Sequence, residues 1–537
     1  MNFLRDLSIL VLGLGDSGLA MARWCVQHGG RVTVWDSREA PPKLAALQAE
    51  LPSASFVTGE LLPSMLAGVQ LVLKSPGLAP TDPRVAPLLQ EARDTAIATL
   101  GELDLFCRAL LDLRQARDYA PRWLAITGTN GKTTTTAMTA LLVQRSGRSV
   151  ATAGNIGPTL LDTLAAVLAR ADEGVEPLPD VWVLELSSFQ LQGGGFGINA
   201  TSGFEPDAAV LLNISQDHLD WHGNMAAYRA AKARIYGVAP NGAVLHTLMV
   251  VNRDDPALLA LAAAAQPPVP AGKVKVRDRV PDRPVLHFGT NTPTLPGDFG
   301  LIVENGMSWL VRAAPLEESL RPGRSKVEDF EIHLQRLMPA DALRLRGRHN
   351  AANALAALGL ATAIGCPLAP MLHALREYAG EPHRMQWVAS RADVDAFDDS
   401  KGTNVGATVA ALLGLGADKA PAKLIVILGG DGKGQDFTPL AAPLLQHARA
   451  VAFIGRDGAA MESTLAPLLG DMPLHMPLQQ HPTLEAAVQW CFAQAQAGDA
   501  VLLSPACASL DMFRNYSHRA EVFVHAVQAL VADGGQV

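Results

Sequence analysis

Short runs of apolar residues recur along the chain, and most are followed by a turn of small or polar residues and then by a segment with helical periodicity. Runs bounded in this way are typical of strands that are buried on both faces of a parallel sheet. They occupy Leu7–Leu12, Arg31–Trp35, Val69–Lys74, Trp123–Ile126, Val181–Leu186, Ala208–Ile214, Leu424–Leu428, Val451–Ile454 and Ala500–Leu503. Helical periodicity is clearest at Leu19–Gln27, Thr135–Val143 and Ala351–Ile364. This alternation predicts an α/β protein with doubly wound, mostly parallel sheets.

The chain has 537 residues, which is too long for a single hydrophobic core, so several domains are expected. The alternation of strands and helices restarts twice, near Tyr119 and near Gly380. We therefore predict three domains: an N-terminal Rossmann-like domain, a central domain built on an ATP-type loop, and a C-terminal Rossmann-like domain. Their predicted boundaries are 1–118, 119–379 and 380–537.

The pattern weakens between Ala260 and Asp341, where proline-rich pieces interrupt it. We expect Val285–Phe288 and Leu301–Val303 to form short antiparallel strands in this region. Two long segments, 192–205 and 266–341, receive no functional assignment and are interpreted as surface elaboration of the fold.

Charge and composition narrow the class of protein. The formal net charge is −8, so the chain has no basic footprint for nucleic acid. No apolar run is long enough to cross a bilayer, and the first residues lead into a strand rather than a signal peptide, so a cytoplasmic protein without membrane insertion is expected. The five cysteines are scattered, which argues against a disulfide framework or a zinc knuckle and predicts buried, reduced thiols.

The strongest chemical signal is the sequence LAITGTNGKTTTT at residues 124–136, which places a glycine-rich turn between a predicted strand and a predicted helix. Gly128 and Gly131 allow a tight turn that directs backbone N–H groups at an anion. Lys132 adds a charge for the outer phosphates, and the hydroxyl of Thr133 can bind the Mg²⁺ that accompanies ATP. We predict an ATP-binding loop; the alternative is a chance Gly-Lys-Thr turn at a strand–helix junction.

A second glycine loop, Gly13-Leu-Gly-Asp-Ser-Gly18, follows the first strand, and Asp36 ends the next strand. This arrangement is typical of a nucleotide site but does not choose between a dinucleotide and a nucleotide sugar. An NAD-dependent oxidoreductase therefore remains an alternative. Asp16 would repel a diphosphate, so either its carboxylate points away or the diphosphate lies off the loop.

Two further strands end in polar residues, at Glu185 and in the sequence NISQDHLD at 213–220. Ligands of α/β sheets bind at the carboxyl ends of strands, so these residues are candidates for a site. His218 and His222 have the spacing of a zinc-binding helix, but Leu219 replaces the glutamate that a zinc protease needs, which argues against zinc hydrolysis. Read alone, His218 would be a satisfied core histidine.

Ten motifs together resemble the Mur ligases, the amide ligases of peptidoglycan synthesis. In chain order they are GTNGKTT (128–134), GNIG (154–157), LELSSFQL (184–191), DHLD (217–220), YRAAKARIY (228–236), GRHNAANALAA (347–357), PHR (382–384), DDSKGTN (398–404), GGDGKG (429–434) and LLSPACASLD (502–511). They span nearly the whole chain. The last blocks resemble the branch that adds D-glutamate.

The resemblance implies an ATP-dependent ligase that adds D-glutamate to UDP-N-acetylmuramoyl-L-alanine and releases ADP and phosphate. In the family, the L-alanyl carboxylate attacks the γ-phosphate of ATP, and the amine of D-glutamate captures the acyl phosphate. A carboxylate that attacks a polyanion needs cations to neutralise the repulsion, so Mg²⁺ and lysines suit this chemistry. The expected partners are these three substrates, and the expected oligomeric state is a monomer.

The resemblance also implies roles for particular residues. The residues that it implies for ATP binding are Gly128, Thr129, Asn130, Gly131, Lys132, Thr133, Thr134, Asn350, Arg384 and Asp399. Those that it implies for binding the UDP substrate are Gly15, Asp16, Ser17, Asp36, Ser37, Arg38, Ser75, Pro76, Gly77, Asn155, Gln190 and His218. The implied metal ligands are Thr133, Glu185, His218 and Lys232 as a carbamate, and the implied catalytic residues are Lys132, His218, Lys232 and Lys401. The residues implied for binding D-glutamate are Lys433, Ser509, Leu510 and Tyr516, the last of which replaces an expected phenylalanine.

Other interpretations compete with these roles. Lys232 read alone is a surface lysine, Glu185 a helix cap, and Asn350 with Asn353 a cap for the following helix. For the whole chain, a folylpolyglutamate synthase would share the ATP loop but has no obvious need for the N-terminal nucleotide domain. A nucleotide-gated binding module would keep the ATP loop without needing Lys433.

Overall fold

The computed structural model describes residues 2–192, 203–238, 245–266, 282–315, 332–345, 347–469 and 476–533. Within these ranges the chain forms three α/β sheets and one smaller antiparallel sheet. The predicted fold class is therefore confirmed. Parts of the long segments 192–205 and 266–341 that carry no assigned function lie outside the described residues, at 193–202, 267–281 and 316–331.

The N-terminal sheet has five parallel strands in the order β3-β2-β1-β4-β5. The strands are β1 (Ser8–Leu12), β2 (Arg31–Asp36), β3 (Ser55–Thr58), β4 (Leu71–Lys74) and β5 (Ala98–Leu100). The helices are α1 (Asp16–Gln27), α2 (Leu44–Glu50), α3 (Ala86–Asp94) and α4 (Glu102–Arg117). The strand order reverses at β1, which lies between β2 and β4, so the loops after β1 and β4 flank a crevice of the kind that binds nucleotides.

The central sheet has six parallel strands in the order β11-β10-β9-β6-β8-β7. They are β6 (Arg122–Thr127), β7 (Val150–Gly154), β8 (Val181–Glu185), β9 (Ala208–Leu211), β10 (Leu248–Asn252) and β11 (Val285–Phe288). The helices are α5 (Lys132–Arg145), α6 (Leu160–Asp172), α7 (Ser188–Gln192), α8 (Leu219–His222), α9 (Met225–Ala233), α10 (Pro256–Ala264), α11 (Arg348–Ala363) and α12 (Leu368–Glu377).

The antiparallel expectation for Val285–Phe288 is wrong, because β11 extends the central sheet by pairing parallel to β10. Its alternating burial comes from its position at the sheet edge, where one face is less covered. The expectation for Leu301–Val303 is confirmed. These residues lie in β12 (Phe299–Glu304), which pairs antiparallel with β13 (Met307–Pro315), and β13 pairs antiparallel with β14 (Ile332–Pro339).

The C-terminal sheet has the order β15-β16-β20-β17-β18-β19, with only the β15–β16 pair antiparallel. Its strands are β15 (Gln386–Arg391), β16 (Val394–Asp398), β17 (Leu424–Gly429), β18 (Ala448–Ile454), β19 (Leu478–Gln480) and β20 (Ala500–Leu503). Its helices are α13 (Val405–Lys419), α14 (Ala441–His447), α15 (Gly458–Leu469), α16 (Leu484–Gln494) and α17 (Tyr516–Asp533).

The hydrophobic cores show how the domains are joined. One buried cluster runs from the N-terminal sheet into the central one, and Phe106 of α4 lies edge-on to Trp182 of β8 with their ring centroids 5.1 Å apart. The C-terminal sheet has its own two clusters, one on each face. The first two domains thus share apolar packing, whereas the contacts of the C-terminal domain with the ATP loop, described below, are polar.

The five cysteines are all buried free thiols, as predicted. In the part of the chain that the structure describes, no helix combines the length and the hydropathy that a membrane span requires.

Candidate active site

The ATP-type loop connects β6 to α5, as its sequence predicts. Gly131 has a φ of +82°, and a Cβ there would lie 2.6 Å from Oδ1 of Asn353, so a larger residue is strained on two counts. Helix α5 begins at Lys132, three residues before the predicted start, and no side chain caps its first turn. The N–H groups of that turn are therefore available for an anion.

Lys132 is folded back on its own loop. Its Nζ donates hydrogen bonds of 2.8 Å to the carbonyl oxygens of Gly128 and Thr129. Burial lowers the pKa of Lys132, and the carboxylates of Glu185 and Asp217 partly oppose that shift. The ammonium is thus held at the loop by neutral acceptors that a phosphate oxygen can replace.

Two cations of the C-terminal domain reach this loop. Nη2 of Arg384 donates to Oγ1 of Thr133 at 3.0 Å, and Nζ of Lys401 donates to the same oxygen at 3.3 Å. Nε of Arg384 is buried without a hydrogen-bond partner. Burial and the nearby charge of Arg384 lower the pKa of Lys401 to about 8. Two positive groups of the C-terminal domain therefore converge on one threonine hydroxyl of the central domain.

A pair of asparagines also joins these domains. Nδ2 of Asn130 donates to Oδ1 of Asn404 at 3.2 Å, and Nδ2 of Asn404 donates to Oδ1 of Asn130 at 3.0 Å. Asn404 is the N-cap of α13, where its Oδ1 accepts the N–H of Ala407. The C-terminal domain is therefore docked on the ATP loop in this structure.

A cavity of about 370 Å³ opens beside the loop and is lined from both domains. It brings Asn130, Gly131 and Thr134 together with three predicted ATP residues that lie far away in sequence, Asn350, Arg384 and Asp399. The capping alternative for Asn350 is wrong, because α11 begins at Arg348 with Gly347 at its N-cap.

Asp399 is buried at one wall of this cavity, where its Oδ2 accepts the hydroxyl of Ser504 at 2.7 Å. Burial raises the pKa of Asp399 to about 7. A second cavity of about 800 Å³ adjoins the first, shares His349 and Arg384 with it, and is also lined by residues 379–381.

Glu185 ends β8 and is 1 % exposed. Its Oε1 accepts Nδ2 of Asn155 at 2.9 Å, whereas its Oε2 is buried without a partner. Among the described residues, no three His, Cys, Asp or Glu side chains form a metal cluster. An orphaned carboxylate oxygen at this position fits Mg²⁺, which is commonly bound through one or two carboxylates and completes its shell with water and phosphate.

His218 belongs to the loop after β9, away from the strand that ends at Glu185. The two residues do not follow adjacent strands, because β6 lies between β8 and β9, and His218 comes several residues after β9. It has a φ of +54° as the N-cap of α8, and its ring lies 4.7 Å from that of Phe189. Burial lowers its pKa, and the charges of Lys433, Lys132 and Lys232 act in the same direction.

His222 is a satisfied core histidine. Its Nδ1 lies 2.8 Å from Oε1 of Gln192, and its Nε2 lies 2.9 Å from Oγ of Ser188. Both ring nitrogens are thus engaged in hydrogen bonds within the fold. This arrangement agrees with the sequence argument against a zinc pair at His218 and His222.

Lys232 is not a surface lysine, because it is 2 % exposed within α9. Its Nζ donates to the carbonyl oxygen of Gly128 at 2.8 Å and lies 3.5 Å from Oγ1 of Thr127. Burial, followed by the charge of Lys132, places the pKa of Lys232 well below its ordinary value. Only the neutral form of a lysine amine reacts with CO₂, and this burial favours that form.

The N-terminal glycine loop has the geometry that its sequence predicts. A Cβ on Gly18 would lie 1.9 Å from the carbonyl oxygen of Gly13, so the close approach of α1 to the loop requires glycine. Asp36 accepts the N–H of Leu14 at 2.8 Å and pairs with Arg38 through two hydrogen bonds of 2.8 Å. These hydrogen bonds outweigh the effect of burial and lower the pKa of Asp36 to about 2.

The other predicted nucleotide residues lie at the same edge of the sheet or in the central domain. Asp16 forms an ion pair of 2.6 Å with Lys43, and its side chain is 73 % exposed, which favours the alternative that its carboxylate points away from a diphosphate. The hydroxyl of Ser75 donates to the carbonyl oxygen of Gly13 at 2.9 Å. Gln190 uses its Oε1 to cap the turn of Ser187, so that oxygen is engaged locally.

The predicted D-glutamate residues lie on two neighbouring loops, after β17 and after β20. These strands pair with each other, and Asp431 and Ala508 bridge the loops. Ser509 is buried, whereas Leu510 is 72 % exposed. No helix begins directly after Ser509, since α17 starts at Tyr516.

Tyr516, one of the predicted D-glutamate residues, lies close to Lys401. Nζ of Lys401 lies 5.4 Å from the centroid of its ring, at a distance where a cation is attracted to the aromatic face. The sequence did not reveal that Asn353 packs against Gly131 or that Asn404 pairs with Asn130, although both asparagines stand inside motifs of the resemblance.

Three family descriptions match the chain along most of its length. Residues 7–101 match the "Mur ligase MurD-like, N-terminal domain", residues 126–276 the "Mur ligase middle domain", and residues 383–507 the "Mur ligase, glutamate ligase domain". Among solved structures, the MurF ligase from Thermotoga maritima in complex with ADP has a TM-score of 0.53 at 15% identity, and it covers 98% of this chain and 96% of its own. This likeness supports the fold.

Curated relatives are much more similar in sequence. The UDP-N-acetylmuramoylalanine–D-glutamate ligase of Albidiferax ferrireducens is 54% identical over 538 residues, which cover 100% of this chain and 98% of the relative. The protein of the same description from Ralstonia nicotianae is 53% identical over 98% of both chains. The chain therefore belongs to the Mur ligase family.

Proposed function

We propose that this ligase uses ATP to join D-glutamate to the L-alanyl carboxylate of UDP-N-acetylmuramoyl-L-alanine in peptidoglycan precursor synthesis. The curated relatives that match over the full chain carry this activity in their descriptions. The structural observation that carries the proposal is the convergence of Arg384 and Lys401 on Thr133 beside the cavity of the ATP loop.

The attack of the substrate carboxylate on ATP needs positive charge around the γ-phosphate. A carboxylate oxygen of the substrate attacks the γ-phosphorus, the bond to the β-phosphate oxygen breaks, and ADP leaves. We assign to Lys132, Arg384 and Lys401 the neutralisation of the charge that repels the attacking carboxylate. The neutral amine of D-glutamate then attacks the acyl carbon, phosphate leaves with the former carboxylate oxygen, and the amine loses a proton.

We assign Mg²⁺ to Thr133 and Glu185, with Lys232 as a third ligand in its carbamate form. When bound, Mg²⁺ would offset the negative charge of the outer phosphates. Addition of CO₂ to the amine of Lys232 forms an N–C bond, and the loss of a proton leaves an anion. The positive charge of Lys132, which lowers the pKa of the unmodified Lys232, would attract this anion. His218 is assigned to binding the substrate and to the same metal site, although its strand, β9, is separated from β8 by β6.

The nucleotide of the substrate is assigned to the N-terminal loops, with Asn155 and Gln190 contributing from the central domain. The ion pair of Asp16 with Lys43 removes the electrostatic objection to a diphosphate at this loop. Because the two domains share a hydrophobic core, the substrate carboxylate would be held in a fixed relation to the ATP loop.

D-Glutamate is assigned to the loops of Lys433 and Ser509, with Leu510 and Tyr516 beside them. Lys433 would pair with one carboxylate, and Ser509 with its neighbouring backbone N–H groups would hold the other. D-Aspartate is one methylene shorter and could not reach both anchors with its amine in line. L-Glutamate would direct its amine away from the acyl phosphate.

We also propose that the C-terminal domain rotates as a rigid body about residues 379–381 to let substrates in. Gly380 has a φ of +98°, and the polar contacts at Thr133 and Asn130 would break and re-form. The boundaries 1–118, 119–379 and 380–537 fit this motion. A monomer is expected, and family membership supports a cytoplasmic enzyme.

The experiment is an ADP-release assay with UDP-N-acetylmuramoyl-L-alanine and a panel of amino acids. D-Glutamate should give the fastest release, and omission of either substrate should abolish it. Faster release with L-lysine, meso-diaminopimelate or L-alanine would refute the choice of amino acid. Release with L-glutamate and a folate in place of the UDP substrate would favour a folylpolyglutamate synthase, and release that depends on neither acceptor would favour a binding module.

A further inference from the structure

A fully buried arginine lies between the two loops that the proposed function needs. Arg519, in the first turn of α17, is 0 % exposed. Its guanidinium donates to the carbonyl oxygen of Ser400 at 2.8 Å and to that of Cys507 at 3.1 Å. Its Nε donates to the hydroxyl of Ser400 at 3.0 Å, and Nη1 lies 3.5 Å from the carbonyl oxygen of Ala508.

These acceptors stand next to the residues assigned to catalysis and binding. Ser400 directly precedes Lys401, and Ala508 directly precedes Ser509. The hydroxyl of Ser400 also donates to the carbonyl oxygen of Tyr516 at 2.8 Å. One guanidinium thus connects the loop of the phosphate-side lysine, the loop of the amino-acid pocket and the start of α17.

The sheet fixes these loops only at their roots. Asp398 at the end of β16 pairs with Leu503 at the end of β20, and beyond this pair both chains leave the ladder. The hydrogen bond between Ser504 and Asp399 joins them once more near the sheet. Farther out, Arg519 joins the two loops through its hydrogen bonds to Ser400 and Cys507, and Asp431 holds Ala508 from the neighbouring loop after β17.

Only arginine suits this position. Its planar fork presents five donors in several directions, whereas a lysine ammonium has three donors on a single atom and could not span both loops. The acceptors that Arg519 meets are three carbonyls and a hydroxyl. Burial lowers its pKa to about 10, so the side chain is charged at neutral pH.

We propose that Arg519 is a positioning residue that sets the distance between the phosphoryl-transfer lysine and the D-glutamate pocket. This inference rests on the proposed function for its kinetic consequence. A shift in the relative position of the two loops would misplace the amine of D-glutamate against the acyl phosphate, and misplacements of about 1 Å can cost about a hundredfold in rate.

The test is Arg519→Lys, which keeps the positive charge but cannot donate hydrogen bonds to both loops. The KM for D-glutamate should rise about tenfold or more, while the KM for the UDP substrate stays unchanged, because that substrate is assigned to other loops. Arg449→Lys is the matched control, since Arg449 pairs with Asp499 at the amino ends of β18 and β20, whereas the two loops follow the carboxyl ends of β16 and β20. Ser400→Ala, a milder change, should raise the same KM by a smaller factor if Arg519→Lys does not fold.

Hydrogen exchange gives a readout that does not depend on activity. Amides of residues 399–404 and 504–510 should exchange faster together in Arg519→Lys and not in Arg449→Lys. A variant that loses kcat in proportion to its unfolded fraction, with unchanged KM for D-glutamate and unchanged exchange in both loops, would overturn the inference. A wild-type enzyme that does not use D-glutamate would refute the proposed function, and the exchange result would still decide the role of Arg519.

Discussion

Replacing Arg384 by lysine tests the convergence of charges at the ATP loop. The guanidinium bonds Thr133 through Nη2 and leaves Nε buried without a partner, so it has a donor free for a phosphate oxygen while it holds the loop. A lysine has its donors on one atom, so it cannot replace two donors that are as far apart as Nη2 and Nε. The loss of one hydrogen bond to a charged group costs about 1.5–3 kcal/mol. This free energy corresponds to about a 10- to 150-fold fall in kcat/KM for ATP.

The assay is ADP release at saturating UDP substrate and D-glutamate, with ATP varied. Arg391→Lys, a change of the same kind on β15, serves as the control and should leave kcat/KM for ATP unchanged. Thermal unfolding of both variants should confirm that they are folded at the assay temperature. If Arg384→Lys keeps kcat/KM for ATP within about twofold of the wild type, Arg384 does not donate a hydrogen bond to a phosphate of ATP.

Four further changes test other parts of the site. Lys132→Ala should nearly abolish kcat with little effect on binding of the UDP substrate, measured by calorimetry, and preserved turnover would remove the basis for the ATP loop. Lys232→Ala should be inactive and partly restored by small carboxylates, and removal of bicarbonate should slow the wild type; no rescue and no bicarbonate effect would contradict a carbamate. Gly131→Ala should destabilise the fold in urea by about 1–3 kcal/mol, and by more than Gly147→Ala, which has a similar positive φ but open space around it; equal losses would contradict the steric argument. Burial raises the pKa of Asp104 to about 7 from 3.8, so between these pH values the folded state keeps a proton that the unfolded state has lost, and the stability of the fold decreases as the pH rises through this interval. Asp104→Asn should therefore raise the melting temperature relative to wild type more at about pH 8 than at about pH 4. An equal difference at both pH values would refute this reasoning.

The sequence was sufficient for the parts of the fold that local pattern controls. Continuous apolar runs identified buried parallel strands such as β6 and β20, and the glycine loops fixed where nucleotides would lie. The start of α5 was placed too late, because four threonines in a row hide the helical period. The direction of β11 could not be predicted, since a four-residue strand carries no signal for parallel or antiparallel pairing.

The site was predictable as a set of residues and not as an arrangement. Family motifs identified Arg384, Lys401 and Asp399, but the sequence gives no sign that Arg384 contacts Thr133, from which it is separated by 251 residues. The order of strands in the sheet decides that Glu185 and His218 are not neighbours, and strand order is a tertiary property. Arg519 was missed because a helical arginine resembles any other exposed residue until its burial is known.

The transfer of an oxygen atom tests the central claim most directly. UDP-N-acetylmuramoyl-L-alanine with ¹⁸O in its L-alanyl carboxylate would be incubated with ATP, Mg²⁺ and D-glutamate, and the released phosphate would be analysed by mass spectrometry. The acyl-phosphate route predicts that each phosphate carries one oxygen from the carboxylate, and that no label moves when D-glutamate and ATP are both omitted. Release of unlabelled phosphate together with amide product would contradict the account.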